Sequence, residues 1–158
     1  MATGKSAVGR ALASRLGWRE VDTDALIEQR AGRSIAEIFA AEGEEAFREL
    51  ESEVAEEVAR HAGSVIVTGG GIVLRERNMS ALRLAGPVVC LTASVETILE
   101  RTRGTSHRPL LRVEDPATRV RELLERRAPF YAKADHTIDT GALTVAEVCD
   151  RIVNLLGV

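Results

Sequence analysis

The chain has 158 residues, enough for one well-buried core and too few for two domains of usual size, so a single domain over 1–158 is expected. Its net charge of −3 arises from arginines interleaved with Asp and Glu, which leaves no basic block for nucleic acid, and no apolar run approaches the ~20 residues needed to span a bilayer. Cys90 and Cys149 stand apart, with no CxxC and no His/Cys cluster, so neither a zinc site nor a disulfide framework is expected and a reducing, cytoplasmic setting follows.

After Gly4-Lys5-Ser6, the residues Val8, Leu12 and Leu16 recur at helical spacing with Ala11 beside them, predicting an amphipathic helix that Gly17 ends. Glu20-Val21-Asp22 is a strand candidate. From Ser34 an apolar series runs through Ile35, Ile38, Phe39, Leu50, Val54 and Val58; Gly43 interrupts it, which predicts two helical pieces with a bend. Val65-Ile66-Val67 and Val88-Val89-Cys90-Leu91 are short, β-branched, apolar runs bounded by Gly or Pro, as buried parallel strands are, and helices between them mean βαβ units. Between Arg101 and Asp115 apolar periodicity gives way to Arg, Gly, Thr, Ser, His and Pro, so a loop is expected there. Val120, Leu123 and Leu124 open another helix, His136 to Asp139 is a last strand, and Val145, Val148, Ile152, Leu155 and Leu156 fit a closing helix.

Ala2-Thr3-Gly4-Lys5-Ser6 ends as a Walker A loop ends. It has a glycine where backbone approaches phosphate, a lysine for the β and γ oxygens, and a hydroxyl for Mg²⁺, followed by a helix whose N-terminal dipole favours an anion. Lys5 and Lys133 are the only lysines, which makes a lysine at this place harder to dismiss as a solvated surface residue. The loop's first glycine and its buried strand would lie ahead of Met1. In a doubly wound sheet that strand is central, so without it the core should split rather than lose an edge. Because the later motifs are intact, a native chain extending upstream of Met1 is favoured over a damaged or artificial fragment.

Asp22 and Asp24 lie two apart at a strand end, where period-two alternation sends both carboxylates to one side; one can serve magnesium and the other substrate, although a lone Asp here also reads as a helix N-cap. Gly69-Gly70-Gly71 follows Thr68 and a buried strand, where glycines let backbone approach a ligand closely. Arg108 sits in the loop beside Pro109 and two leucines that suit closure of a lid. Arg48 and Arg127, taken alone, are solvated helix-face residues, and Phe39 and Phe47 are core or pocket wall.

Together these stretches resemble the shikimate kinase family, in the family's order across nearly the whole chain: Val21-Asp22-Thr23-Asp24, Ile27-Glu28, Gly32-Arg33-Ser34-Ile35, Ile38-Phe39, Gly43-Glu44 through Phe47-Arg48 to Glu51, Thr68 to Gly71, Arg108-Pro109-Leu110-Leu111, and Arg127-Ala128-Pro129 with Tyr131. The resemblance implies a P-loop kinase-like three-layer α/β/α fold with a short parallel sheet of order 2-3-1-4-5, here without its first strand. Substrate-binding helices would span about 24–58 and a lid about 103–115.

It also implies transfer of the γ-phosphate of ATP to the 3-hydroxyl of shikimate, in aromatic amino-acid biosynthesis, by a monomer using one Mg²⁺. By the same resemblance Lys5, Asp24 and Arg108 are catalytic, and Asp24, Arg48, Gly69, Gly70, Gly71 and Arg127 bind substrate, with the two arginines gripping its carboxylate. Thr3, Gly4, Lys5, Ser6, Ala7, Arg101, Arg108 and Val145 bind ATP, and Ser6 and Asp22 serve the metal. Arg101 matches the adenine-stacking position, Val145 stands where the family has proline, and Ala7 where it often has threonine. At its ordinary pKa of about 3.9, Asp24 would orient the hydroxyl first and accept its proton late. Competing readings are another small P-loop kinase, for a sugar acid or nucleoside monophosphate, and an inactive nucleotide-binding module.

Overall fold

A computed structural model describes residues 2–102 and 115–158. Its elements, in chain order, are α1 (Lys5–Leu16), β1 (Arg19–Asp22), α2 (Thr23–Ala31), α3 (Ile35–Val58), β2 (Ser64–Val67), a 3₁₀ turn (Ile72–Leu74), α4 (Glu76–Ala85), β3 (Val89–Thr92), α5 (Val95–Thr102), α6 (Pro116–Tyr131), β4 (His136–Asp139) and α7 (Val145–Leu156). Gly17 closes α1 in the left-handed conformation, and a reciprocal Ser34–Glu37 capping box opens α3. Gly43 (φ 84°, ψ 175°) breaks α3 into the two expected pieces, in a backbone region that a side chain would resist. Asp22 is the N-cap of α2, the reading that a lone aspartate at this place also allows.

All strand pairing is parallel. β1 pairs with β2, placing Asp22 beside Val67, and β3 pairs with β4, placing Thr92 beside Asp139. Among the described residues these are two separate two-stranded pieces. They are the outer halves of the order expected from sequence, separated where that order puts its middle strand. Between the facing edges of β2 and β3 lies an apolar slot of about 460 Å³, walled by Val65, Val67, Val89, Leu91, Leu12 and Met79. The consequence shows in burial: all four residues of β3 are only half-buried, which is unusual for an inner parallel strand.

Side-chain alternation along the strands supplies two cores. On one face Val21, Ile27, Ile38, Phe47, Val54 and Val58 pack with Ile66 and Val88. On the other, Val8, Leu12, Ile138, Val148 and Ile152 pack with Val65, Val89 and Leu91, so α1 and α7 cover both half-sheets and hold them together. Helices α2, α3 and α4 thus lie on one side of the strands and α1 and α7 on the other, the three-layer arrangement.

Candidate active site

The strands deliver their C-terminal ends to one crevice, where open α/β folds bind ligands. Gly4, in the left-handed conformation at φ 88°, turns the chain into α1, and Lys5, Ser6 and Ala7 form that helix's first turn. The first-turn N–H groups have no partners inside the helix and present a partial positive charge to the crevice. Thr3, just before the turn, is buried at 4% exposure.

Asp22 Oδ1 accepts from the backbone N–H of Asp24 (2.9 Å) and of Ala25 (3.2 Å), which fixes the start of α2 and aims the next turn at the crevice. Asp24 is therefore held by its own backbone while its carboxylate projects inward. Its Oδ1 is buried and has no hydrogen-bond partner among the described residues. Burial first, and then the neighbouring Asp22 carboxylate, push the Asp24 pKa above the ordinary aspartate value, with Lys5 and Arg48 opposing them. That differs from the ordinary value assumed from sequence. The desolvated site makes Asp24 a better proton acceptor than its residue type suggests.

Arg48 comes from the second half of α3. Its Nη1 donates to Glu51 Oε2 at 2.7 Å, while Nε and Nη2 donate to Glu44 Oε1 at 3.3 and 3.1 Å. Among the described residues one N–H of each terminal nitrogen remains outside these bonds, and guanidinium N–H groups suit a carboxylate. The pair is enclosed: the side chains of Arg48 and Glu51 are 10% and 1% exposed, and the guanidinium carbon lies 5.2 Å from the Phe47 ring centroid. Burial raises the Glu51 pKa, and Arg48, with Arg127 behind it, pulls it back down. Arg127 lies on α6, the helix whose Tyr131 reaches the Gly70 carbonyl.

The glycine turn after β2 is the surface against which both groups rest. A Cβ built on Gly69 would stand 2.6 Å from Asp24 Oδ1, and one on Gly71 would stand 2.7 Å from Arg48 Nη2, so any side chain here displaces one of them. Tyr131 donates its O–H to the Gly70 carbonyl at 2.9 Å, and Ile72 and Leu74 donate N–H groups to Gly69 and Gly71, which pins the turn from three sides. On the resemblance stated above, which implies shikimate and ATP as substrates and Arg48 on the shikimate carboxylate, Gly71→Ala is expected to raise the KM for shikimate by at least about tenfold while leaving the KM for ATP within about twofold, since a shift costing ~1.4 kcal/mol is tenfold in affinity. Steady-state kinetics with each substrate varied will read this directly.

On the other half-sheet, Arg101 near the end of α5 donates to Thr140 Oγ1 (3.0 Å) and to the Thr140 carbonyl (2.8 Å). Val145 opens α7 at 38% exposure, one residue after its cap Thr144. Arg108 and the expected lid residues 103–114 lie outside the described residues; Asp115 caps α6. Sequence reasoning assigned no role to Glu51, although its i,i+3 spacing from Arg48 on a helix signals a pair. It also passed over Thr140, for which no local signal exists.

The shikimate kinase family model matches residues 1–157. The chain belongs to the shikimate kinase family. It is 46% identical over 153 residues to a shikimate kinase of Thermodesulfovibrio yellowstonii, covering 97% of this chain and 88% of the relative. It is 50% identical over 159 residues to that of Symbiobacterium thermophilum, covering 99% and 91%. Among solved structures, a shikimate kinase from Acinetobacter baumannii in complex with shikimate superposes with a TM-score of 0.93 at 39% identity, covering 98% of this chain and 87% of that one. The crystal structure of the Bacteroides thetaiotaomicron shikimate kinase gives 0.92 at 31% identity, covering 100% and 94%. The chain is therefore a member of a phosphotransferase family, and its strands follow the P-loop kinase fold despite the slot that divides them.

Proposed function

We propose that this chain transfers the γ-phosphoryl group of ATP to the 3-hydroxyl of shikimate, giving ADP and shikimate 3-phosphate for aromatic amino-acid biosynthesis. The observation that carries the reading is the pairing, against one glycine turn, of a buried carboxylate oxygen (Asp24) and an enclosed guanidinium (Arg48) that, among the described residues, keep an unpartnered oxygen and spare N–H groups respectively. A hydroxylated carboxylic acid satisfies both at once. Arg48 and Arg127 hold its carboxylate, the Gly69–Gly71 turn lies along it, and Asp24 Oδ1 receives the hydroxyl proton as a hydrogen bond.

The hydroxyl oxygen then attacks phosphorus in line as the bond to the leaving ADP oxygen breaks, and the proton passes to Asp24. Lys5 at the start of α1, the first-turn N–H groups and Arg108 from the lid offset charge on the transferring oxygens. The donor set fits magnesium: the Ser6 hydroxyl and the Asp22 carboxylate are hard oxygens, and Mg²⁺ takes few protein ligands because it keeps several waters and binds phosphate. Bound there with ATP, one ion supplies charge neutralisation on the phosphates. Thr3, Gly4, Lys5, Ser6 and Ala7 cradle the phosphates, and Arg101 and Val145 face the adenine. No helix among the described residues is long and apolar enough to cross a membrane. We assign the protein to the cytoplasm as a monomer, in one domain with a lid over 103–115.

A phosphoryl-transfer assay across shikimate, gluconate and nucleoside monophosphates tests the substrate class; turnover with either competitor and none with shikimate rejects the proposal. Arg48→Lys keeps the charge and removes the fork, so the KM for shikimate is expected to rise ~10- to 100-fold with ATP affinity little changed. An unchanged shikimate KM would place the carboxylate elsewhere.

A further inference from the structure

Thr140, the first residue after β4, is 2% exposed and joins four parts of the chain. Its hydroxyl accepts from Arg101 Nη1 at 3.0 Å and shares its proton between the carbonyls of Thr3 (3.2 Å) and Thr92 (3.0 Å). Its backbone N–H donates to the Thr92 carbonyl at 2.9 Å, and its own carbonyl accepts from Arg101 Nη2 at 2.8 Å. Arg101 Nη1 also reaches the Ala2 carbonyl at 3.4 Å. The phosphate turn, the end of β3, the arginine of α5 and the loop into α7 therefore meet at one buried hydroxyl.

We propose that Thr140 is a positioning residue for the nucleotide, setting the distance and angle between the phosphate turn and the Arg101 guanidinium. This rests on the reading above, in which Lys5 and Ser6 hold phosphates and Arg101 faces the base. Two bonds to two atoms of one residue fix the plane of a guanidinium, while its faces stay open for stacking. The same hydroxyl fixes Thr3, the residue before Gly4, so the two ends of ATP meet partners whose separation is set before binding. A ligand spanning both ends gains from that preorganisation; a ligand touching one end gains little.

The test compares Thr140→Val, Thr140→Ala and Thr140→Ser with the unmodified protein, by calorimetric titration with Mg·ATP, inorganic triphosphate and adenosine, and by steady-state kinetics. Thr140→Val is expected to weaken ATP about tenfold, which is ~1.4 kcal/mol, with the KM for shikimate within about twofold and kcat less affected than the KM for ATP. Triphosphate and adenosine should each lose less than ATP, and Thr140→Ser should restore most of the affinity. The Ser and Ala variants differ by the hydroxyl alone and decide the matter if the Val variant fails to fold. Equal weakening of ATP and shikimate, ATP affinity unchanged in all variants, or no recovery with serine overturns the assignment, as does a failure of the unmodified protein to bind ATP. Absence of shikimate-dependent turnover alongside normal ATP titrations rejects the proposed reaction and leaves Thr140 to be judged on the titrations.

Discussion

Asp24→Asn is expected to lower kcat by about 10²- to 10⁴-fold, the range for loss of a positioned proton acceptor, with ATP affinity near normal. The same substitution should make the protein more stable at neutral pH. Burial holds the Asp24 pKa above its ordinary value, so the fold favours the protonated carboxyl. The stabilisation that this gives is fully present below the unfolded-state value and is lost as pH rises through the raised folded-state value, where ionisation leaves a partly desolvated charge. Asparagine keeps the shape and removes that charge, for a gain on the order of 1 kcal/mol, or a few degrees in Tm for a chain of this size. Scanning calorimetry at pH 7 and pH 4 checks the sign, since the advantage over the unmodified protein should shrink at the lower pH. A variant that loses turnover and ATP affinity equally, or that melts lower at pH 7, would show that Asp24 supports the fold rather than the reaction.

This opposition of activity and stability is local. Asp24 Oδ1 lacks a partner among the described residues, whereas Glu51, more deeply enclosed, is answered by Arg48. Removing one member of an enclosed pair leaves the other charge uncompensated, at a cost of about 3–5 kcal/mol. The two carboxylates thus differ in state: one is satisfied and holds a guanidinium, and the other, on the proposed function, is open to the substrate hydroxyl.

What could be read from the chain follows from how local each feature is. Helices α1 and α7 and strands β2, β3 and β4 announce themselves through apolar spacing, because each buries a stripe against a sheet. The break at Gly43 was equally legible, since only a glycine takes that φ without strain. Helices α2, α4 and α5 were not distinguished, and few of their residues are buried: Thr23 and Ile27 in the first, Asn78, Met79 and Leu82 in the second, Ile98 in the third. At the site, Asp24 and Arg48 were found through motifs, but their contact with Gly69 and Gly71 belongs to the folded chain. The Thr140 junction was invisible because its hydroxyl meets residues 137 and 48 positions away.

The second large effect concerns the slot. β2 and β3 each pair on one side only among the described residues, and their other edges face the same apolar space of about 460 Å³. Unpaired inner edges leave backbone N–H and C=O groups without ladder partners and half-expose Val89 and Leu91. An extended segment of about five β-branched residues, placed ahead of Ala2 and running parallel to β2 and β3, would bond to both edges and meet Val8, Leu12 and Met79. Burying each Val or Ile side chain contributes ~1.5–3 kcal/mol against ~1.5 kcal/mol per residue of ordering entropy, so about five residues give a net few kcal/mol, with ladder bonds in addition. Fusing such a segment to the chain is expected to raise Tm by about 10 °C and to slow amide exchange in Val65–Val67 and Val89–Leu91 together. A control segment with aspartate at the inward positions should gain nothing, because a carboxylate there loses its hydration without a partner. If the apolar and acidic segments act alike, the slot is not a strand site. If both strands gain protection and Tm rises, α1 will carry its phosphate turn on a continuous sheet, and ATP affinity should rise with it.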